Sequence, residues 1–148
     1  MKLKQISVFL ENRPGALEEP CRVLAAAGIN LSTLCLADTE KFGILRLIVR
    51  DWERAARLLQ DAGFVVKVTD VLAVEVPDRP GGLYEILQVF HKSGLSVEYM
   101  YAFPLRRGEK AVLIFRFHDL NRAMEALQEA QVPVVAPLEL LEGNHNEK

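Results

Sequence analysis

One short motif occurs twice, and its recurrence limits what this chain can fold into more than any other feature. Glu11-Asn12-Arg13-Pro14-Gly15-Ala16-Leu17 returns as Pro77-Asp78-Arg79-Pro80-Gly81-Gly82-Leu83, with Gly15 and Gly81 66 residues apart (81 − 15). Each copy lies between an alternating apolar run and a run with helical spacing, which marks a strand-to-helix turn. Pro14 has its φ fixed and suits the start of a helix. Gly15 has no side chain, so a ligand or another backbone can approach closely there. The amides that follow point out of a helix N-terminus, where they can receive an anionic group such as a carboxylate.

The chain builds the same order of elements around each turn. Residues 3–10 alternate, with Ile6, Val8 and Leu10 on one face, and form a strand. Leu17, Cys21, Leu24 and Gly28 mark the packed stripe of a helix that Gly28 ends. Pro20 removes one backbone bond about one turn in, which predicts a bend or a late helix start. Strands follow at 29–36 and 42–49, joined by the polar connection 37–41. Asp51 caps a second helix with Ala55, Leu58, Leu59 and Ala62 inward, and residues 64–68 form a fourth strand.

The second half repeats this with a strand through Leu72, Val74 and Val76 and a helix carrying Leu83, Ile86, Leu87 and Phe90 that ends at Gly94. Strands are predicted at 95–103 and 110–117, joined by a hairpin turn at 106–109. Asp119 caps a helix carrying Ala123, Ala126 and Leu127. Val132 to Val135 makes the last repeat strand, Leu138 to Leu141 is placed as an extension of the sheet, and residues 143–148 read as a frayed polar tail.

The predicted fold is α+β. It consists of two tandem ferredoxin-like β-α-β-β-α-β domains, antiparallel sheets with helices on one face, over residues 1–70 and 71–148. A chain of 148 residues allows two such domains of about 70 residues each, near the lower limit for an independent core. No Pro/Gly/Ser-rich spacer separates them at Val68-Thr69-Asp70-Val71, so they should not swing freely.

With Ile6, Val8, Leu45 and Leu47 toward the helices, the open face still carries Phe9, Leu34, Leu36, Ile44 and Ile48 in the first half. In the second half it carries Ala73, Met100, Val112 and Ile114. A water-exposed face should be mostly polar. Part of it is therefore expected to be covered by the other half or a second chain, unless a one-residue slip exchanges the faces.

Composition removes several classes of function. A formal net charge of −2 and a pI near 5.9 argue against a general nucleic-acid binder. No apolar run spans a bilayer, and the alternating pattern from Met1 onward argues against a signal peptide. The two cysteines, Cys21 and Cys35, read as reduced, buried structural thiols. The chain reads as cytoplasmic. His91, His118 and His145 lack metal-ligand spacing and read as surface residues. No Walker or dinucleotide glycine pattern is present, and no motif pairs a Ser or Cys with a base.

Asn12-Arg13-Pro14-Gly15-Ala16-Leu17, a helix ending at Gly28 and then Ile29-Asn30-Leu31 together resemble the ACT domain, a small amino-acid-sensing module of amino-acid metabolism. The resemblance spans nearly the whole chain as two tandem copies with no catalytic domain. It is closest to the serine-sensing regulatory domain of phosphoglycerate dehydrogenase. The runs 36–39, 42–49 and 70–83 are similar to free-standing tandem ACT proteins.

The resemblance implies a non-catalytic sensor without cofactor or metal that binds a small amino acid. It also implies a homodimer, with an enzyme of amino-acid metabolism as possible partner and neither nucleic acid nor membrane as a target. In the family the effector lies between the first turn of one domain and the second strand of a neighbour. The positions so implicated are Asn12, Arg13, Gly15, Ala16, Leu17 and Asn30 in the first half, and Asp78, Gly81, Gly82 and Ser96 in the second. Asn offers both a donor and an acceptor to a zwitterion. Asp78 departs from Asn: it can take an ammonium but repels a carboxylate, so the second site binds differently or is vestigial.

Each of these positions also has a plain structural reading. Asn12 and Asp78 suit a turn residue bonding its own backbone, the weight falling on ligand contact at Asn12 and on the turn at Asp78. Asn30 and Ser96 equally suit strand starts after a glycine stop. Two other functions stay open: an assembly module that binds no ligand, and RNA binding through Tyr99, Tyr101 and Phe103 with Arg106, Arg107 and Lys110 nearby. Those rings share parity with Leu95 and Val97 on the helix side, unless a bulge shifts the register.

Overall fold

The structure is a computed structural model that describes residues 1–142; the tail expected at 143–148 lies outside the described residues. The elements are β1 (Leu3–Glu11), α1 (Glu18–Ala26), β2 (Thr33–Asp38), β3 (Phe42–Ile48), α2 (Trp52–Asp61), β4 (Val65–Pro77), α3 (Gly82–Lys92), β5 (Val97–Arg107), β6 (Lys110–Phe117), α4 (Leu120–Glu129) and α5 (Pro137–Glu142). Two compact units result: Lys4–Thr69, and the chain from Asp70 on together with Met1–Leu3. The class is α+β, antiparallel strands with helices, as the pattern predicts.

In the first unit β3 lies between β2 and β1. Ile6, Val8 and Leu10 stand opposite Leu47, Leu45 and Gly43. Opposed residues of an antiparallel pair share a face, and this row makes one core with Leu24, Ala55 and Leu59 from the helices. In the second unit β6 lies between β4 and β5, and Leu72, Val74 and Val76 pack with Ile86, Phe90, Phe115 and Leu127. Phe90 stands edge-on to Phe115 and Phe117, with centroids 5.3 and 4.8 Å away, the geometry aromatic quadrupoles favour.

Both predicted caps form. The Asp51 carboxylate accepts the Arg54 amide at 3.3 Å and Asp119 accepts the Arg122 amide at 3.0 Å. Asp119→Ala is expected to cost about 1 kcal/mol, seen as a lower urea midpoint at unchanged slope. An unmoved midpoint would show that the cap contributes nothing to stability.

Several local expectations give way to the structure. Strands predicted at 64–68 and 72–76 are one strand, β4, unbroken over 13 residues, because no glycine or proline interrupts Val65–Val76. β2 starts at Thr33 and not at residue 29. The Ile29 amide still closes α1 by donating to the Leu24 carbonyl at 2.9 Å, so the chain is not free to extend. Val132–Val135 yields only the bridge Val74↔Val134, since Pro133 has no amide to give. Residues 138–141 do not extend the sheet; they lie in α5, with Leu140 buried, and Pro137 suits its first position. β5 continues to Arg107, so the second hairpin turn tightens to Gly108-Glu109.

Pro20 delays α1, as predicted. α3 begins at Gly82 but α1 at Glu18, two positions after Ala16, the counterpart of Gly82. Pro20 has no amide to donate to the Ala16 carbonyl. The buried stripe is also rotated from the expected one. Pro20 and Leu24 face inward on α1, Ile86 and Phe90 on α3. Leu17, Leu83 and Leu87 are exposed instead, as is Ala62 just past α2, and Leu58 is half-buried. Cys21 and Cys35 are free and half-buried, not fully buried.

Strand pairing corrects the assignment of faces. Leu34 and Leu36 stand opposite Leu47 and Leu45, so they lie on the helix side. They stay about half exposed because β2 is an edge strand. A register shift between Val97 and Tyr99 puts Tyr99, Tyr101 and Phe103 opposite Arg116, Ile114 and Val112. These rings therefore occupy the open face, and Met100 turns to the core; a bulge moves every later side chain across the sheet.

The open face is partly buried in both units: Ile48 in the first, and Ala73, Phe103, Val112 and Ile114 in the second, while Phe9 is 45% exposed. Part of the cover in the second unit is the chain's own. Arg107 bridges Glu75 of the open face at 3.2 Å and Glu139 of α5 at 2.7 Å.

Candidate functional site

The two turns share their closing backbone bonds. The Ala16 amide donates to the Arg13 carbonyl at 3.2 Å, and Gly82 to Arg79 at 3.0 Å. The Glu19 amide donates to Gly15 at 3.4 Å, and Glu85 to Gly81 at 3.0 Å. Gly15 and Gly81 have φ of +82° and +84°, a region that disfavours any side chain. The space beside both is open within 4 Å. Just before each turn, the Asn12 amide donates to Lys41 and the Asp78 amide to Glu109, both at 3.0 Å, so each turn is tied to the hairpin of its own unit.

The side chains at these positions also engage the hairpins. Asn12 Nδ2 donates to the Glu40 carbonyl at 3.5 Å. Asp78 Oδ2 lies 2.8 Å from Arg106 Nη2, so its charge is countered by a cation that the sequence did not connect with it. The matched positions Ala16 and Gly82 differ. Ala16 carries its methyl into the unit, whereas a Cβ on Gly82 would collide with the Pro77 carbonyl oxygen.

The fold gathers only part of the predicted set. Asn12, Arg13, Gly15, Ala16 and Leu17 share one end of the first sheet, where Glu11 pairs with Phe42. Asn30 precedes the other end, where the Ser32 amide meets Ile48. The six steps from Phe42 to Ile48 at about 3.4 Å per residue separate these ends by roughly 20 Å. Asp78, Gly81 and Gly82 are likewise at the hairpin end of the second sheet, and Ser96 is at the other, before the Val97↔Phe117 pair.

Sequence reasoning missed a cleft of about 330 Å³ behind the first turn. Arg13 and Ala16 reach it from the predicted set, and Leu10, Val23 and Phe64 give it an apolar lining. Two ion pairs stand at its mouth: Arg13 Nε with Glu11 Oε2 at 3.1 Å, and Arg22 Nη2 with Glu19 Oε2 at 2.9 Å. The hydrogen bond and charge of Arg22 hold the Glu19 carboxyl below the ordinary carboxylate range, and Glu19 in turn raises Arg22. The spacing of Glu19 and Arg22 on a helix was a legible signal. The arrival of Phe64 from the far end of the unit was not.

Among the described residues no cluster of three or more His, Cys, Asp or Glu could hold a metal ion, and no helix is long and apolar enough to cross a membrane.

Two strand-turn-helix repeats with matching glycine turns, each on an antiparallel sheet, define the ACT domain pair. The chain belongs to that family, which it matches over residues 1–142. Among solved structures it is similar to protein BT0572 from Bacteroides thetaiotaomicron, with 40% identity over 95% of this chain and 96% of that one and a TM-score of 0.87. The ligand-free regulatory subunit of aspartate kinase from Thermus thermophilus is 16% identical over 86% of this chain and 91% of that one, with a TM-score of 0.61. Its Thermus flavus counterpart is 16% identical over 86% and 92%, with a TM-score of 0.60. The likeness to these two subunits is one of fold. No curated protein matches the sequence.

Proposed function

We propose that this chain is a non-catalytic regulatory protein of two domains, 1–70 and 71–148, that binds a small amino acid at its turns and modulates an enzyme of amino-acid metabolism. The observation that carries the reading is the repeated turn. Gly15 and Gly81 hold the same left-handed conformation with open space beside them, which leaves backbone accessible to a ligand carboxylate. Membership of the ACT domain pair family supports it, and so does the fold shared with a regulatory subunit of aspartate kinase.

Asn12 and Asn30 are too far apart within one unit to share a small ligand. A site that uses both therefore needs a second domain, and a homodimer would supply one. A ligand with different affinity for two packings of the domains would shift their populations, which is how such a site transmits a signal. Asp78 is already paired with Arg106, so an ammonium at the second turn would have to compete with that guanidinium for the carboxylate.

The test is a thermal-shift screen of the twenty amino acids at millimolar concentration. A ligand at about 100 times its Kd adds roughly 2.7 kcal/mol. A shift specific to one class of amino acid and lost in Asn12→Ala is expected, with Asp78→Ala reporting on the second turn. No shift with any amino acid would favour an assembly module.

One observation keeps a second reading alive: the bulge in β5 places Tyr99 and Tyr101 on the open face, opposite Arg116 and Ile114. RNA retention that falls with salt and is lost in Tyr101→Ala would favour it.

A further inference from the structure

We infer that α5 is a strap with two states. It is closed over the open face of the second repeat, as here, and it lifts as a unit while the rest of that repeat stays folded. The inference stands apart from the amino-acid reading and holds whatever the turns bind.

The path of the chain puts α5 across the sheet. Val134 bridges Val74 of β4, and the Val135 amide donates to the Ala73 carbonyl at 2.8 Å. Leu113 of β6 faces Val74 from the other side, so the chain leaves the sheet at the edge of β4 remote from β6. Glu139 nonetheless reaches β5, where its Oε2 lies 2.7 Å from Arg107 Nη1, and β6 stands between β4 and β5. Three strand spacings, roughly 14 Å, are crossed with the help of two long side chains. The crossing is on the open face, because Arg107 also holds Glu75 at 3.2 Å and Glu75 pairs with Val112 of that face.

The first repeat has the same row without the strap. Phe9, Ile44 and Ala37 pair across it as Glu75, Val112 and Phe103 do in the second. Val112 and Phe103 are buried, whereas Phe9 and Ala37 are exposed. The chain diverges just here. In the first copy it continues as one strand from Val65 to Pro77; in the second it turns into α5 at Pro137.

The fastening of α5 is slight. Six residues are too few for a helix that stands by itself, so docking keeps it closed. Leu140 is wholly buried and Leu141 half-buried, while Leu138 is 71% exposed. The Glu139–Arg107 pair is exposed, and such pairs hold weakly. Lifting strands no charge, since Glu75 keeps Lys110 at 3.2 Å as well as Arg107; an uncompensated buried carboxylate would otherwise hold the strap down. Ala136 separates the last sheet bond, at Val135, from the helix, and Pro137 has no amide to lose. A signalling protein needs an element with two states. α5 supplies one within a single repeat, and its state decides whether the row of Val112 and Phe103, on the same face as Tyr101, is open.

The test is amide hydrogen exchange of the full chain in wild type, Glu139→Gln, Leu140→Ala and Leu138→Ala, with anilinonaphthalene sulfonate as the probe of bared apolar surface. In wild type the amides of residues 140–142 are expected to exchange together, about tenfold or more faster than those of β6. Glu139→Gln and Leu140→Ala should speed them by about threefold or more again, with β6 protection unchanged. Leu140→Ala should also bind the dye, and Leu138→Ala should change neither reading. Exchange of α5 as slow as that of β6 in all four proteins overturns the inference, since α5 then opens only when the fold does. Loss of β6 protection in Leu140→Ala, or failure of that variant to fold, overturns it by making α5 part of the core. Faster exchange of α5 in Glu139→Gln and Leu140→Ala without dye binding by Leu140→Ala overturns it too, because no face is bared.

Discussion

Phe90→Ala is expected to destabilise the protein by about 3–5 kcal/mol, the usual cost of emptying an aromatic site in a packed core. Phe90 is 2% exposed and reaches from α3 to the sheet, where it meets both Phe115 and Phe117 edge-on. Removing it forfeits the burial of one ring and two aromatic contacts at once. Those partners come from β6, the central strand of the second unit, and cannot close a void without distorting the ladder. For a chain of this size the melting temperature should fall by roughly 6–20 °C. Phe9→Ala is the control: that ring is 45% exposed, and its loss should cost about 1 kcal/mol or less. If the two variants melted together, Phe90 would not be the keystone of that core.

Gly82→Ala is the second large effect, and it runs against the ordinary rule. Glycine near the start of a helix usually gains from alanine, by up to about 1 kcal/mol. Here the added Cβ meets the Pro77 carbonyl oxygen and sits close to the Pro77 side chain. The turn must open to admit it, at an overpacking cost of about 3 kcal/mol. The net loss should be roughly 2 kcal/mol, once the helix gain is set against it. The first repeat supplies the reference, because Ala16 stands at the matching position without conflict. Ala16→Gly should cost about 1 kcal/mol or less. Urea unfolding of both variants decides it; a Gly82→Ala protein as stable as wild type would mean that the turn yields freely.

Much of the turn was legible beforehand because its causes are local. A proline followed by glycine, between a period-two run and a helical run, has few conformations open to it. Gly15 and Gly81 take the left-handed region that only glycine occupies cheaply. Asp51 and Asp119 could be read as caps for the same reason: a short acidic side chain three residues before a free amide has one obvious partner. The bulge in β5 was not legible. Its effect is to move three aromatic rings across the sheet, yet nothing in Val97-Glu98-Tyr99 announces an extra residue in the ladder. The stripe on α1 was misread because alanine and proline, weak signals of burial, occupy the core side at Ala16 and Pro20, while Leu17 faces out.

By itself, then, the sequence determined the α+β class, the duplicated strand-turn-helix order and the place of both turns, since each follows from periodicity and from the proline and glycine that stand between the runs. Tertiary structure decided which predicted residues share a place. It set Asn12 and Asn30 at opposite ends of one sheet, because strand length is a distance that no local pattern encodes. It gave Asp78 a guanidinium partner from the facing hairpin. It also built the cleft at Arg13 and Ala16 from α1, the end of β1 and Phe64, segments far apart in the chain that meet only when an antiparallel sheet closes over its helices.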